Sequence, residues 1–284
     1  MAADGRDGGD FAAAVAVAAT PDPAEAERAT ARGVELRRRD ALEAACHAFA
    51  EALAADPAHR PALTELGVTL RARGLRTAAA AALKRALALD PDDLESLSTL
   101  GLTLRELGEP EAALAQLHRA VVLHPQLAEA HHNLGLALAD LGHFAEAELC
   151  FELALALQPG LAVAAWERSV AQLASGDWRR GFAGLESRWA LRRLPRPHAD
   201  LPAWDGRPLQ GRSILVYNEQ AYGDGILFAR FLPRLKQLGA GRVVLECHRP
   251  LARLFRTLEG VDRVTVRGEE RPACDLAVSL LSLP

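Results

Sequence analysis

Apolar residues in the first part of the chain recur every three or four positions, as in "AHHNLGLALADLGHFAEAELCFELALALQP" (130–159). This spacing places them on one face of a helix and so predicts an all-helical region. After residue 195 the pattern changes to short, continuous apolar runs separated by helical segments. The runs are 213–217, 242–246, 263–266 and 275–280. Continuous apolar strands that alternate with helices predict a parallel sheet with helices on its faces.

The helical region has an internal repeat. Prolines close the segments "LAADP", "LALDP", "VVLHP" and "LALQP" at intervals of 34 residues. Frames of this length predict four repeats over residues 26–161. Glycine occupies the eighth position of every frame, at Gly33, Gly67, Gly101 and Gly135. Alanine occupies the twentieth position, at Ala45, Ala79, Ala113 and Ala147.

These recurring small residues indicate close helix packing. A glycine inside a helix is about 1 kcal/mol less favourable than alanine, so we expect another backbone to approach each glycine. Larger apolar residues at helical spacing should fill the space between successive hairpins: Leu66, Leu83, Leu100, Leu117, Leu134 and Phe151. Each proline should end the second helix of its repeat. Residues 162–195 keep Gly176 but have Ser169 and Gly181 at the glycine and alanine positions, so we interpret them as a degenerate capping repeat.

A helical repeat of 34 residues resembles a tetratricopeptide array, and residues 130–159 are similar to a repeat of O-GlcNAc transferases. The resemblance implies an all-α solenoid whose first helices line a groove for a protein or peptide partner. It places Glu129, His132 and Asn133 in that groove. The asparagine ladder of O-GlcNAc transferases is nearly absent, because the equivalents of Asn133 are Ala31, Glu65 and Thr99. The alternative is that Asn133 and the adjacent histidines are only solvated. Adjacent helical positions diverge, so no metal is expected at the histidines.

The segment "NEQAYGDGILFARFLP" (218–233) follows the first predicted strand. Loops at the carboxyl ends of parallel strands are where such sheets bind ligands. Gly223 and Gly225 would let a substrate approach the backbone, and a helix after them would offer free N–H groups. The dinucleotide fingerprint and the Walker lysine are both missing. The alternative is a structural turn in which Asp224 caps the helix.

Residues 201–255 resemble the start of the glycosyltransferase domain that follows tetratricopeptide repeats in many bacterial proteins, and they are similar to heptosyltransferases. The matching positions are Glu219, Gln220, Gly223, Asp224, Phe228, Arg230 and Pro233, and the departures are Ala221, Leu227 and Phe231. The resemblance implies a Rossmann-like acceptor lobe of the GT-B type. Asp224 would be the catalytic base, and Glu219, Gln220, Gly223 and Gly225 would bind substrate. A nucleotide sugar would be the co-substrate, held by a second lobe.

The predicted organisation has five parts: a frayed or disordered N-terminus (1–25), four repeats (26–161), a degenerate cap (162–195), a linker or ordered loop (196–212) and a partial lobe (213–284). The sequence stops after the four predicted strands, so we expect a C-terminally truncated lobe with an unpaired sheet edge. The predicted function is partner binding through the solenoid, with an acceptor lobe that is not catalytic alone. The alternative is active glycosyl transfer to a protein or glycan acceptor, once a missing lobe or a partner completes the site.

Composition argues against several other classes. The 33 basic and 37 acidic residues give a net charge of -4, so no global field favours nucleic acid or an anionic membrane. Cys46, Cys150, Cys247 and Cys274 lie far apart without a CxxC pair, which predicts neither disulfides nor a metal site. The apolar run 11–19 is too short to span a bilayer. We therefore expect a soluble, cytoplasmic protein without a cofactor of its own.

Overall fold

The computed structural model describes residues 21–191, 196–219 and 221–284. They divide into two compact units, with the boundary between Ser175 and Gly176. Each unit is described by itself.

The first unit is all helical. Its helices are α1 (Pro23–Arg38), α2 (Leu42–Ala55), α3 (Arg60–Ala72), α4 (Arg76–Leu89), α5 (Leu94–Glu106), α6 (Pro110–Leu123), α7 (Ala128–Asp140), α8 (Phe144–Leu157) and α9 (Ala162–Ser175). Helix α1 begins inside the segment predicted to be frayed, because the Asp22 carboxylate accepts a hydrogen bond from the Glu25 N–H at 2.9 Å. Asp22 is thus an N-cap, and Pro23 suits the first helical position. The prediction for residues 1–20 falls outside the described residues.

The ends of the helices follow from the repeat. Each second helix stops two residues before its proline, as at Leu89 before Pro91, because proline disfavours a helical residue before it. Within each hairpin the turn needs a left-handed residue, which is glycine in three repeats, as at Gly74 (φ 80°). In the first repeat a non-glycine residue, Asp40, takes this conformation with φ 61°. Such backbone is unfavourable for a residue with a Cβ.

The glycines at the eighth position are needed for packing, but the contacting group differs from the prediction. A Cβ on Gly101 would lie 2.4 Å from Leu117 Cγ, and one on Gly33 would lie 2.4 Å from Phe49 Cε1. The group that approaches each glycine is therefore a buried side chain of the second helix, and not a backbone. The predicted apolar residues between hairpins are buried, and Leu83, Leu117 and Phe151 are 0% exposed.

The hairpins stack in order. The first helices α1, α3, α5 and α7 each pack against their own second helix and against the first helix of the next repeat, and α9 packs against α8 and α7. In such a stack the curvature leaves a concave surface, which is lined by the first helices. We call this surface the groove.

The second unit contains a parallel sheet. Its helices are α10 (Trp178–Gly184), α11 (Arg188–Leu191), α12 (Tyr222–Phe228), α13 (Leu232–Gln237) and α14 (Ala252–Phe255), and its strands are β1 (Ser213–Tyr217), β2 (Arg242–Cys247), β3 (Arg263–Val266) and β4 (Leu276–Ser279). The strand order is β3-β2-β1-β4, and all neighbours are parallel. The order therefore reverses between β1 and β4, and the loops that leave their carboxyl ends flank a crevice.

The chain crosses between the units inside the segment predicted to be one capping repeat. Helix α9 belongs to the first unit, whereas residues from Gly176 onward belong to the second. The reason is local: α10 has only 7 residues, and Arg188, which follows it, bonds to the sheet unit through Glu219 and Ser282.

Residues 196–212 form an ordered loop that lies on the sheet unit. The N–H of Ala277 on β4 donates to Pro202 O at 2.9 Å, and Trp204 N–H donates to Ala277 O at 3.0 Å. Leu209 is 0% exposed. The outer edge of β4 is thus paired at Ala277, whereas the sequence predicted an unpaired sheet edge without specifying the strand. A 3-10 turn (Ala229–Phe231) separates α12 from α13, and Pro233 lies in the first turn of α13, where a proline is tolerated.

Candidate functional sites

One face of every first helix is open to the groove. The second, sixth and ninth positions of each repeat are spaced i, i+4 and i+7, so they share a helix face. On α5 these are Glu95, Thr99 and Leu102. The ninth position is always aliphatic and is never fully buried: Val34, Val68, Leu102, Leu136 and Val170. The groove therefore has a continuous aliphatic row.

An arginine row runs beside the aliphatic row, at Arg37, Arg71 and Arg105, with a spacing of 34 residues. Each arginine reaches an acid of the next repeat. Arg105 forms a two-pronged bond with Asp140, at 2.6 and 3.1 Å, and Arg71 donates to Glu106 at 2.7 Å. Arg37 approaches Glu65 at 2.8 Å. These pairs link neighbouring repeats and neutralise the arginines.

Three carboxylates of the groove have no such partner. Within the described ranges, Glu95, Glu129 and Glu167 form no ion pair. Burial raises the pKa of Glu95, and so does repulsion from Glu65 and Asp93, although Arg37 and Arg60 act in the opposite direction.

Burial also raises the pKa of Glu167, with Asp140 adding to the effect and Arg105 opposing it. The groove therefore holds negative charge that the chain itself does not neutralise.

The three residues predicted for the groove lie on α7, on or beside its open face. Glu129 is exposed, and Asn133 is partly buried. His132 packs on Phe151 with ring centroids 5.8 Å apart, and burial lowers its pKa despite a hydrogen bond with Asn133. The interpretation of the two histidines as solvated is wrong for His131, which is 7% exposed and bonds through Nε2 to Pro125 O at 2.8 Å.

In the second unit, the predicted transferase loop is shorter than expected. Helix α12 begins at Tyr222, so Gly223, Asp224 and Gly225 form its first turn. Asp224 does not cap the helix, because the N-cap residue is Ala221, and its side chain is partly exposed. A Cβ on Gly225 would lie 2.5 Å from Asn218 Nδ2, whereas one on Gly223 would meet nothing within 4 Å. Gly225 is thus required by packing, and Gly223 faces open space.

Glu219 lies at the crevice between β1 and β4, but its carboxylate is engaged within the protein. Oε1 accepts hydrogen bonds from Arg188 Nε at 2.7 Å and from Ser279 Oγ at 2.8 Å. The side chains of Arg188 and Glu219 are 4% and 1% exposed. This geometry assigns Glu219 to the interior rather than to a substrate surface. Gln220 lies outside the described residues.

Arg188, which binds Glu219 at the crevice, is a residue that the sequence analysis did not identify. It also donates to Glu186 at 2.8 Å and to Ser282 at 2.7 Å. Burial by itself would raise the pKa of Glu186, but hydrogen bonds from Ser282 and Arg188 hold this pKa below its usual value. Arg188 is 3% exposed although it lies in an arginine-rich run, which is the pattern typical of a solvated helix face. Its partner lies 31 residues away, so no local signal could have found the pair.

A cleft of about 900 Å³ opens beside this network, and its lining includes Trp178, Phe182, Phe231, Arg179 and Arg230. Trp178 is 62% exposed and stacks on Phe182 with ring centroids 6.3 Å apart. The Arg230 guanidinium lies 5.0 Å from the Phe231 ring centroid. The volume is within the range of about 300–1,000 Å³ typical of ligand pockets.

Two absences concern the residues that the structure describes. There, no cluster of three or more His, Cys, Asp or Glu side chains could hold a metal ion. Nor does that part of the chain contain a helix that is both long enough and apolar enough to cross a bilayer.

Stacked hairpins with an open first-helix face define the first unit as a helical-repeat solenoid. Comparison with known families makes the class specific. A TPR repeat family matches residues 101–142, and tetratricopeptide-repeat families match residues 128–161 and 30–93. The first unit is therefore an array of tetratricopeptide repeats.

Protein FlbA of Caulobacter vibrioides is 34% identical over 100 residues, which are 34% of this chain and 17% of FlbA. The chain thus matches less than a fifth of that relative's length. A crystal structure of MamA is 28% identical, with a TM-score of 0.51, and the match covers 56% of this chain and 92% of MamA.

More distant structures share the fold alone. YrrB is 24% identical with a TM-score of 0.50, covering 58% of this chain and 84% of YrrB. PilW is 21% identical with a TM-score of 0.56, covering 60% of this chain and 79% of PilW.

Proposed function

We propose that the first unit binds an extended peptide segment of a partner protein in its groove. The observation that supports this most directly is the aliphatic row at the ninth position, which is partly or wholly accessible on every first helix and recurs along the groove from repeat to repeat. A groove of this kind can accept alternate side chains of an extended chain. YrrB, which shares the fold, is described as a TPR protein with an unusual peptide-binding site, which gives a precedent for the use of the fold.

The groove is also held rigid between repeats. The ion pairs Arg71–Glu106 and Arg105–Asp140 join successive first helices, so the spacing of the aliphatic row is fixed before a partner arrives. A preorganised surface loses less conformational entropy on binding.

A selection of short random peptides on the immobilised protein tests the proposal. Peptides retained by the wild type should be lost on Leu102→Asn, which removes one member of the aliphatic row. They should be retained by Leu149→Asn, the same change at a second-helix residue that is 60% exposed. Circular dichroism must show that both variants fold. Peptides that bind both variants equally, or no peptides at all, would overturn the proposal.

A second candidate function concerns the second unit, for which we propose an acceptor lobe related to glycosyltransferases. The cleft with its exposed aromatic ring supports this, as does the position of Asp224 in the first turn after β1, close to the point where the strand order reverses. Sugar hydroxyls and rings suit a surface that combines aromatic faces with a few polar groups. On this proposal, Asp224 is the catalytic base, and the open space at Gly223 leaves room for the acceptor. Glu219 stabilises the shape of the crevice through its ion pair with Arg188.

Turnover of nucleotide sugars by the chain, alone and with candidate partner proteins, tests the second candidate. Transfer or donor hydrolysis that is lost on Asp224→Asn would support it, provided that Asp205→Asn, at an exposed cleft residue, retains the activity. Equal turnover by wild type and Asp224→Asn would remove Asp224 as the base. If the wild type shows no turnover with any donor, the candidate fails for this chain.

A further inference from the structure

The charge of the groove identifies the kind of peptide that fits it. The acids at the second and sixth positions, Glu95, Glu129 and Glu167, lie on the open face of three successive first helices, α5, α7 and α9. They share this face with Leu102, Leu136 and Val170, from which they are separated by seven positions on α5 and α7 and by three on α9. A partner that lies along the row must therefore pass beside the carboxylates.

Two arginines of the groove, Arg71 and Arg105, are already engaged by other acids. Arg105 is bound by both oxygens of Asp140, and Arg71 is bound by Glu106. The groove face is thus neutral along the row of arginine ion pairs and negative along the three glutamates.

A second observation concerns a polar atom at the groove. His132 Nε2 is buried without a hydrogen-bond partner among the described residues. Such an atom is unfavourable unless something satisfies it. The elevated pKa values of Glu95 and Glu167 indicate in addition that a nearby cation would be favourable there.

From the row of unpaired carboxylates beside the aliphatic row, we infer that the groove takes a basic extended peptide, with lysine or arginine side chains opposite Glu95, Glu129 and Glu167 and apolar side chains on the row. The inference rests on the proposed peptide binding. It adds the charge of the partner, which that proposal leaves open.

Fluorescence anisotropy on the full chain provides the test, with two labelled probes of equal length. In one, lysines are separated by valine and serine, and in the other glutamate replaces each lysine. The lysine probe should bind more tightly, and its affinity should fall as salt is raised, because exposed charges are screened. The triple variant Glu95→Gln, Glu129→Gln and Glu167→Gln should weaken its binding about tenfold or more.

The matched control changes the same charge elsewhere. Glu111, Glu146 and Glu152 are exposed on second helices, so their triple replacement by glutamine should leave the affinity within about twofold. Equal weakening by both triple variants would reduce the effect to overall charge and overturn the inference.

The remaining outcomes distinguish failure of the charge inference from failure of the peptide-binding proposal. If the glutamate probe binds as tightly as the lysine probe, and Leu102→Asn still abolishes binding, the charge assignment fails while groove binding stands. If neither probe binds and random selection also yields no peptide, both fail together.

Discussion

Replacing Gly101 by alanine tests the packing that defines the repeat. The added Cβ would lie 2.4 Å from Leu117 Cγ and 2.6 Å from Cδ2, whereas carbon atoms in contact lie about 3.5–4.0 Å apart. Leu117 is 0% exposed, so it has no free space to move into. Overpacking of this kind destabilises a core by about 1–3 kcal/mol, and the better helix propensity of alanine offsets about 1 kcal/mol of that.

The sign of the effect should reverse when Leu117 is shortened. Leu117→Ala alone should destabilise the array by about 2–5 kcal/mol. In that background the Gly101 Cβ meets a cavity, so Gly101→Ala should stabilise by about 1 kcal/mol through helix propensity. The two substitutions should therefore show a coupling free energy of about 1–3 kcal/mol.

Urea unfolding followed by circular dichroism at the helical band measures all four proteins of this cycle. Gly160→Ala is the control, because a Cβ there meets nothing within 4 Å, and its effect should stay within about 0.5 kcal/mol. If Gly101→Ala stabilises equally in both backgrounds, the close approach of Leu117 does not explain the recurring glycine.

Three further predictions concern single sites. Asp40→Gly should stabilise the array by about 1 kcal/mol because it relieves left-handed backbone, whereas Asp40→Ala should not, as thermal unfolding will show. Arg188→Met should destabilise the second unit by about 3–5 kcal/mol because it leaves the Glu219 charge buried, and adding Glu219→Leu should recover part of the loss in urea unfolding. Burial raises the folded-state pKa of Glu167, so its ionisation destabilises the fold above the unfolded-state pKa and has no effect below it. Glu167→Gln should therefore raise the melting temperature at about pH 7 but not at about pH 4. The exposed control Glu129→Gln should not show this difference.

Much of the architecture could be predicted from periodicity. The spacing of the prolines gave the repeat frame, because proline ends each second helix at the same phase in every repeat. The strands were also predictable to within a residue or so, since continuous apolar runs such as 242–246 have no other place in a compact unit than a buried strand.

The contacts between distant residues could not be predicted in the same way. Nothing in the sequence distinguishes Arg188, which is buried, from the other arginines of its run, because its environment is made by Glu219 and Ser282 from other elements. Likewise, the side chain that faces Gly101 could be assigned only from coordinates. The arginine row is different: Arg37, Arg71 and Arg105 share the repeat phase, so the signal was present in the sequence.

The net charge of -4 gives little information about partners, because what matters is which charges remain unpaired on a given surface. On the groove, the arginines at the twelfth position are bound by acids of the next repeat, so they stiffen the array and do not attract a ligand. Among the described residues, the acids at the second and sixth positions on α5, α7 and α9 form no ion pair. A nearly balanced composition therefore yields a locally negative groove, and it does so through the 34-residue phase that builds the fold. The 34-residue repeat therefore determines both how the helices pack and which charges remain in the groove for a partner.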